Sequence, residues 1–207
     1  MSLKAIFLNC TLKKSPEESN TESLMREVEK IFTKEQVQSE MIRLADFNIA
    51  YGISADEGID DEWPDIFEKV KKADIVIIGT PIWLGEKSSI AAFAIERLYG
   101  ASSMANEKGQ SLYYNKVGGA VVTGNEDGAK HAACSILYGL SHIGFTVPPN
   151  VDTYWVGEAG PGPSYIEANG WENDFTMRSV RTTGHNLVHF ARLLKENPIP
   201  AEGNLLE

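Results

Sequence analysis

The chain has 207 residues, 43% of them hydrophobic and 23% charged, enough for one well-covered core and short for two. Its net charge of -10 argues against general binding to nucleic acid, whose phosphates it repels. No apolar run approaches the roughly 18–20 residues that a membrane span requires, and Met1-Ser2-Leu3-Lys4 leads into a strand pattern with no leader signal, which points to the cytoplasm.

Strand and helix patterns alternate along the whole chain, so residues 1–207 are expected to form a single α/β domain. Ala5 to Asn9 is a short apolar run, followed by a polar loop and a helix that begins near Asn20 or Thr21, with Leu24, Met25, Val28, Ile31 and Phe32 on one face. Val37 to Leu44 reads as a second strand, and Asp56 to Glu62 as a solvated acidic loop. Trp63 to Lys72 is a short helix, and Asp74 to Gly79 is the most hydrophobic strand, a run suited to burial on both faces. Ser88 to Tyr99 is helical, Lys116 to Thr123 extended and Gly128 to Ile143 helical. Phe145-Thr146-Val147 starts a fifth strand that Pro148-Pro149 cuts off. A Gly/Pro-rich loop over 152–171 is too long for a simple connection and reads as functional or as a subunit contact. The C-terminal helix lies within 172–197, about Asp174 to Glu196, and ends at Asn197-Pro198. Repeated βα units imply a parallel sheet with right-handed crossovers.

Ligands of such sheets bind outside the carboxyl ends of the strands, and three loops there carry candidate chemistry. The first, Asn9 to Thr21, holds Thr11, Lys13, Lys14, Ser19, Asn20 and Thr21 ahead of a helix N-terminus, whose free N–H groups and dipole favour phosphate. A capping cluster before a surface helix explains the same residues equally well. The second, Gly79 to Ser88, carries Pro81, Ile82, Trp83, Leu84 and Gly85, large side chains able to wall a flat heteroaromatic ring. A turn packed on a neighbouring element is the plainer alternative. The third, Thr123 to Ala129, offers Gly124, Asn125, Asp127 and Gly128 for backbone contacts, or else a turn with Asp127 as helix cap. The convergence of all three on one sheet edge carries the argument.

Other patterns fall short of a site. The second loop misses the nucleotide P-loop because Glu86 intrudes before Lys87, the Gly79-to-Gly85 spacing is too long and Pro81 lacks an N–H. His185 and His189 stand one turn apart but without the glutamate of a zinc motif, so no metal is expected; His131 and His142 read as partly buried or surface residues. Cys10 and Cys134 make neither a disulfide framework nor a zinc spacing. Tyr154 and Trp155 suit a subunit interface or a cover over a bound ring. A phospho-acceptor receiver is disfavoured because Asn9-Cys10-Thr11 and Gly79-Thr80-Pro81 stand where it needs acidic residues.

With these loops in order from Ala5 to about Phe145, the chain resembles the NADPH-dependent FMN reductase family of the flavodoxin-like superfamily. The resemblance rests on Ser19-Asn20-Thr21, Thr80 to Gly85 and Thr123 to Gly128, and Gly157 to Tyr165 looks like a feature of one subgroup. It implies a flavodoxin-like three-layer sandwich around a five-stranded parallel sheet in order 2-1-3-4-5. It also implies FMN, with its phosphate at Thr11, Ser19, Asn20 and Thr21, and with Lys13 or Lys14 where the family commonly has an arginine. Pro81, Ile82, Trp83 and Leu84 then flank the isoalloxazine on one side and Thr123, Gly124, Asn125 and Gly128 on the other, with Gly85 and Asp127 in the same two loops. The implied activity passes hydride from NADPH or NADH through FMN to a quinone, flavin or other small acceptor, with no protein nucleophile, in a homodimer or homotetramer. A flavodoxin-type electron carrier without direct NAD(P)H oxidation is the alternative.

Overall fold

The computed structural model describes residues 2–206. Its parallel strands are β1 (Lys4–Asn9), β2 (Gln38–Arg43), β3 (Ile75–Trp83), β5 (Val117–Gly124) and β6 (Asp152–Val156), while a short β4 (Glu86–Lys87) pairs antiparallel with β3. The sheet order is β2-β1-β3-β5-β6. Counting only the parallel strands, this is the 2-1-3-4-5 order implied by the resemblance, with the reversal between β1 and β3. The helices are α1 (Asn20–Lys34), α2 (Trp63–Lys72), α3 (Ser89–Tyr99), α4 (Ala129–His142) and α5 (Asp174–Glu196).

Strand periodicity explains the layers. Ile6, Leu8, Val76 and Ile78 pack with α2, α3 and α4 on one face, whereas Ala5, Phe7, Ile75 and Ile77 pack with α1 and α5 on the other. Three helices are capped by the side chain before them: Ser19 accepts from Glu22 N, Ser88 from Ala91 N and Asn173 from Thr176 N. A buried ion pair holds the acidic loop that enters α2: Arg97 donates to Asp61 at 2.7 Å and to the Ala50 carbonyl at 2.5 Å. Burial pushes the Asp61 carboxyl up, but hydrogen bonds from Glu57 N, Ala50 N, Arg97 and Trp63 N outweigh it and hold it below the ordinary aspartate value.

Three expectations need correction. The fifth strand is not Phe145-Thr146-Val147; Thr146 makes an isolated bridge to Val117, and the strand lies at Asp152–Val156. Pro148 and Pro149 lack the N–H that a ladder needs, so regular pairing resumes beyond them. Tyr154 and Trp155 therefore sit within the strand, and the expected 152–171 loop begins only at Gly157. The segment Gly79 to Ser88 is not a loop either: β3 runs on to Trp83 and turns back through Leu84-Gly85 into β4. Both turn residues have positive φ, +54° and +77°, the two-residue hairpin geometry whose twist matches its strands.

Candidate functional site

A cavity of about 540 Å³ opens at the carboxyl ends of β1, β3 and β5. One end is built by the first loop and the start of α1, where Thr11, Leu12, Lys13, Asn20 and Thr21 line the wall. The N–H groups of Asn20 and Thr21 open the helix and have no carbonyl one turn back to receive them. Thr21 is buried, and its hydroxyl shares a 2.9 Å hydrogen bond with that of Thr123, joining α1 to β5 under the cavity floor. Lys13 is exposed, its ammonium 3.3 Å from the Glu18 carbonyl. Ser19 does not line the cavity: its hydroxyl caps Glu22 N at 3.1 Å and accepts from Asn9 Nδ2 at 3.3 Å.

A charged brace sets this loop. Arg43 donates to Glu22 and to the Glu17 carbonyl, each at 2.7 Å. Burial pushes the Glu22 carboxyl up, yet hydrogen bonds from Arg43 and Arg26 prevail and hold it below the ordinary glutamate value. Arg43 is thereby committed to the loop, which leaves Lys13 and the α1 N-terminus as the positive character on the cavity wall.

The other end is apolar and aromatic. Pro81, Ile82, Trp83 and Leu84 form one side, and Thr123, Gly124, Asn125 and Glu126 the opposite side. Trp83 is 55% and Leu84 95% exposed, an unusual presentation for such side chains that puts an apolar rim on the mouth. Glu126 Oε1 accepts from Leu84 N at 2.6 Å and so holds the left-handed turn against the α4 entry. Gly85, Asp127 and Gly128 lie behind the wall. Gly128, with φ +116°, occupies the cap position of α4, which Asp127 does not fill. A Cβ on Gly128 would stand 2.6 Å from the Gly85 carbonyl carbon and closer still to its oxygen, so the hairpin and the helix meet through two glycines.

Sequence reasoning missed Leu12, Glu126, Gly160 and Tyr165 as lining residues, and left Trp155 open between a subunit interface and a cover over a bound ring. Trp155 and Tyr165 are buried and meet edge-to-face with centroids 5.6 Å apart. Alternation along β6 was the signal available for Trp155, once that strand is placed correctly. Tyr154, its neighbour, faces the opposite layer, with the Lys130 ammonium 5.9 Å from its ring centre. Outside the cavity, His185 lies 3.4 Å from Glu35, and His189 packs edge-on against Phe190.

The donor set fits FMN. Unpaired N–H groups, hydroxyls and a lysine at one end suit a phosphate, and flat apolar walls with strand-end backbone at the other suit a heteroaromatic ring. The volume lies within the range of small-molecule sites.

Comparison with known proteins agrees. The chain is 38% identical over 207 residues to the 8-demethyl-8-aminoriboflavin-5'-phosphate synthase of Streptomyces davaonensis, covering 96% of this chain and 80% of that protein. It superposes with a TM-score of 0.89, at 38% identity and over 96% of this chain and 82% of that one, on a crystal structure of RosB with bound 8-demethyl-8-formylriboflavin-5'-phosphate. It is also 46% identical, over 93% of its own length, to a Mycobacterium bovis protein named divalent metal cation transporter MntH, of which it spans 29%. Among the described residues no helix is long and apolar enough to cross a membrane. The model of one family, NADPH-dependent FMN reductase, matches residues 3–159. On the strength of that match, the flavodoxin-like sheet and the relative named as a synthase of a riboflavin phosphate, the chain belongs to the NADPH-dependent FMN reductase family, FMN-dependent oxidoreductases with a reduced nicotinamide as donor.

Proposed function

We propose that the chain folds as one domain that holds FMN in this cavity and passes reducing equivalents from NAD(P)H to a small acceptor, a quinone or a free flavin. The observation that carries the reading is the polarity of this cavity, phosphate donors at the α1 end and apolar walls at the β3 and β5 ends. Thr11, Lys13, Asn20 and Thr21 bind the phosphate, and Ser19 supports them by capping α1. Pro81 to Leu84 and Thr123 to Asn125 hold the ring from two sides, with Gly85, Asp127 and Gly128 shaping the turns behind them. Bound FMN supplies the hydride chemistry. The chain's own residues orient the ring and exclude water from its buried side, leaving the face between Trp83 and Leu84 open to donor and acceptor. The exposed Trp83 and Leu84 also suit a homodimer or homotetramer in which a second copy narrows that opening.

The test is a visible spectrum of protein reconstituted with FMN and desalted, then treated anaerobically with NADPH and with NADH. A retained flavin spectrum bleached by one nucleotide supports the reading. Retained flavin that neither nucleotide bleaches turns it into an electron carrier, and no retained flavin refutes it. Thr21→Asp places a carboxylate at the proposed phosphate end and is expected to abolish retention.

A second reading follows from the relative named as a synthase of an aminated riboflavin phosphate. In it the flavin is the substrate and its ring substituents are changed. Mass spectrometry of the flavin recovered after turnover separates the two: an unchanged mass supports the cofactor role and a changed mass the substrate role.

A further inference from the structure

The Gly/Pro-rich segment after β6 is unexplained by the roles above, yet it is fastened to the cavity at every polar contact it makes with the strand-end loops. Gly157 N donates to the Gly124 carbonyl at 2.9 Å, and Gly160 N to the Asn125 carbonyl at 3.2 Å. The Asn125 carboxamide returns the contact, its Nδ2 donating to the carbonyls of Gly162 at 2.9 Å and Pro163 at 2.7 Å. At the far end Ile166 N donates to Asn20 Oδ1 at 2.9 Å. The segment therefore spans from the ring end of the cavity, at Asn125, to the phosphate end, at Asn20. Two of its residues, Gly160 and Tyr165, line the cavity. Tyr165 is buried and anchors the segment edge-on between Trp155 and Trp171, while an internal turn is closed by Ser164 N donating to Glu167.

We propose that residues 157–166 form a strap that retains the flavin, with Asn125 as the positioning residue that holds it shut. The proposal rests on the reading of the cavity as the FMN site. A carboxamide suits the clip because its NH₂ has two donors and the strap presents two carbonyls. An aspartate of the same shape sets a carboxylate oxygen against those carbonyls and opens the clip, while keeping the side-chain volume.

The test compares FMN release from the unaltered holoprotein with release from Asn125→Asp and Gly162→Val. Flavin fluorescence is followed after mixing with excess apoflavodoxin as a trap, alongside hydrogen exchange of the 157–166 amides. Gly162 does not line the cavity, but a Cβ there stands 2.9 Å from the Glu158 carbonyl oxygen and 3.6 Å from Asn125 Nδ2, so valine displaces the strap from its own side of the clip. Both variants are expected to exchange faster across 157–166 and to release FMN about tenfold faster or more, from loss of two neutral hydrogen bonds. Gly162→Val that exchanges faster but releases FMN at the original rate overturns the retaining role. Asn125→Asp that releases FMN faster with unchanged exchange assigns Asn125 to direct flavin contact and overturns the clip, as does unchanged exchange in both variants. Failure of the unaltered protein to bind FMN at all defeats the functional reading itself, and the strap's role with it.

Discussion

The junction of the Leu84-Gly85 hairpin with the start of α4 offers a sharp test of how the cavity wall is built. Replacing Gly128 by alanine forces a side chain into φ +116° and drives its Cβ to 2.6 Å from the Gly85 carbonyl carbon. The left-handed conformation costs about 1–2 kcal/mol, and the steric overlap with backbone that cannot swing aside about 1–3 kcal/mol more. Together they remove about 2–5 kcal/mol, which for a domain of this size lowers Tm by about 5–20 °C. Gly58 supplies the control, because its φ is +104° but nothing stands within 4 Å of the added Cβ. Gly58→Ala therefore carries the conformational part alone, about 1–2 kcal/mol. Thermal melts of both apoproteins by circular dichroism give the comparison, with FMN titration reporting whether the displaced hairpin also weakens binding. Equal melting temperatures for the two variants refute the reasoning, since the Gly85–Gly128 contact then has no energetic weight.

Further outcomes follow from buried polar groups. Arg97→Met leaves the Asp61 carboxylate buried without its cation and is expected to lower stability by about 3–5 kcal/mol, read from urea unfolding. Because the Asp61 pKa is held below its ordinary 3.8, its stabilisation is present above that value and is lost as pH falls through the folded pKa; Asp61→Asn should flatten the acid limb of a stability-versus-pH curve. Lys116 has linkage of the same sign in an alkaline window. Its ammonium donates to the Lys71 and Ala73 carbonyls, and burial lowers its pKa to about 8 from 10.5. The unfolded chain then binds the extra proton between about pH 8 and 10.5, so the unaltered protein should gain stability over Lys116→Met across that window; a constant difference in Tm contradicts the assignment. Cys134 is exposed, whereas Cys10 is buried and burial pushes its thiol up, so Ellman's reagent should titrate one thiol in the native protein and both in urea.

The legibility of this chain varied with the range of the interaction. Asp174–Glu196 could be bounded from the chain in and beside it, because an apolar stripe and a terminal Asn-Pro act within a few residues. The run from Ile75 to Ile78 announced a central strand because burial on both faces leaves no polar position. The β6 segment did not announce itself. Asp152 to Val156 is short and follows two prolines, and its extended state is enforced by the ladder it forms with Ala120 to Gly124. Likewise Gly79 to Ser88 carried turn residues inside what is mostly strand, since Pro81 and Leu84 conform to the sheet and to the Glu126 contact rather than to local preference.

By itself, then, the amino-acid sequence determined the α/β alternation, the two-faced strands, the cap of α1 and the three loops that converge on one sheet edge. Each depends on periodicity or on contacts a turn apart. The tertiary structure alone decided which of those residues line the cavity, that Thr21 bonds to Thr123, and that Asn20 and Asn125 hold the segment from 157 to 166. Those contacts join residues 102, 37 and 146 positions apart. No local preference encodes them, because a polar side chain's partner is chosen by which backbone groups the packed layers leave unpaired beside it.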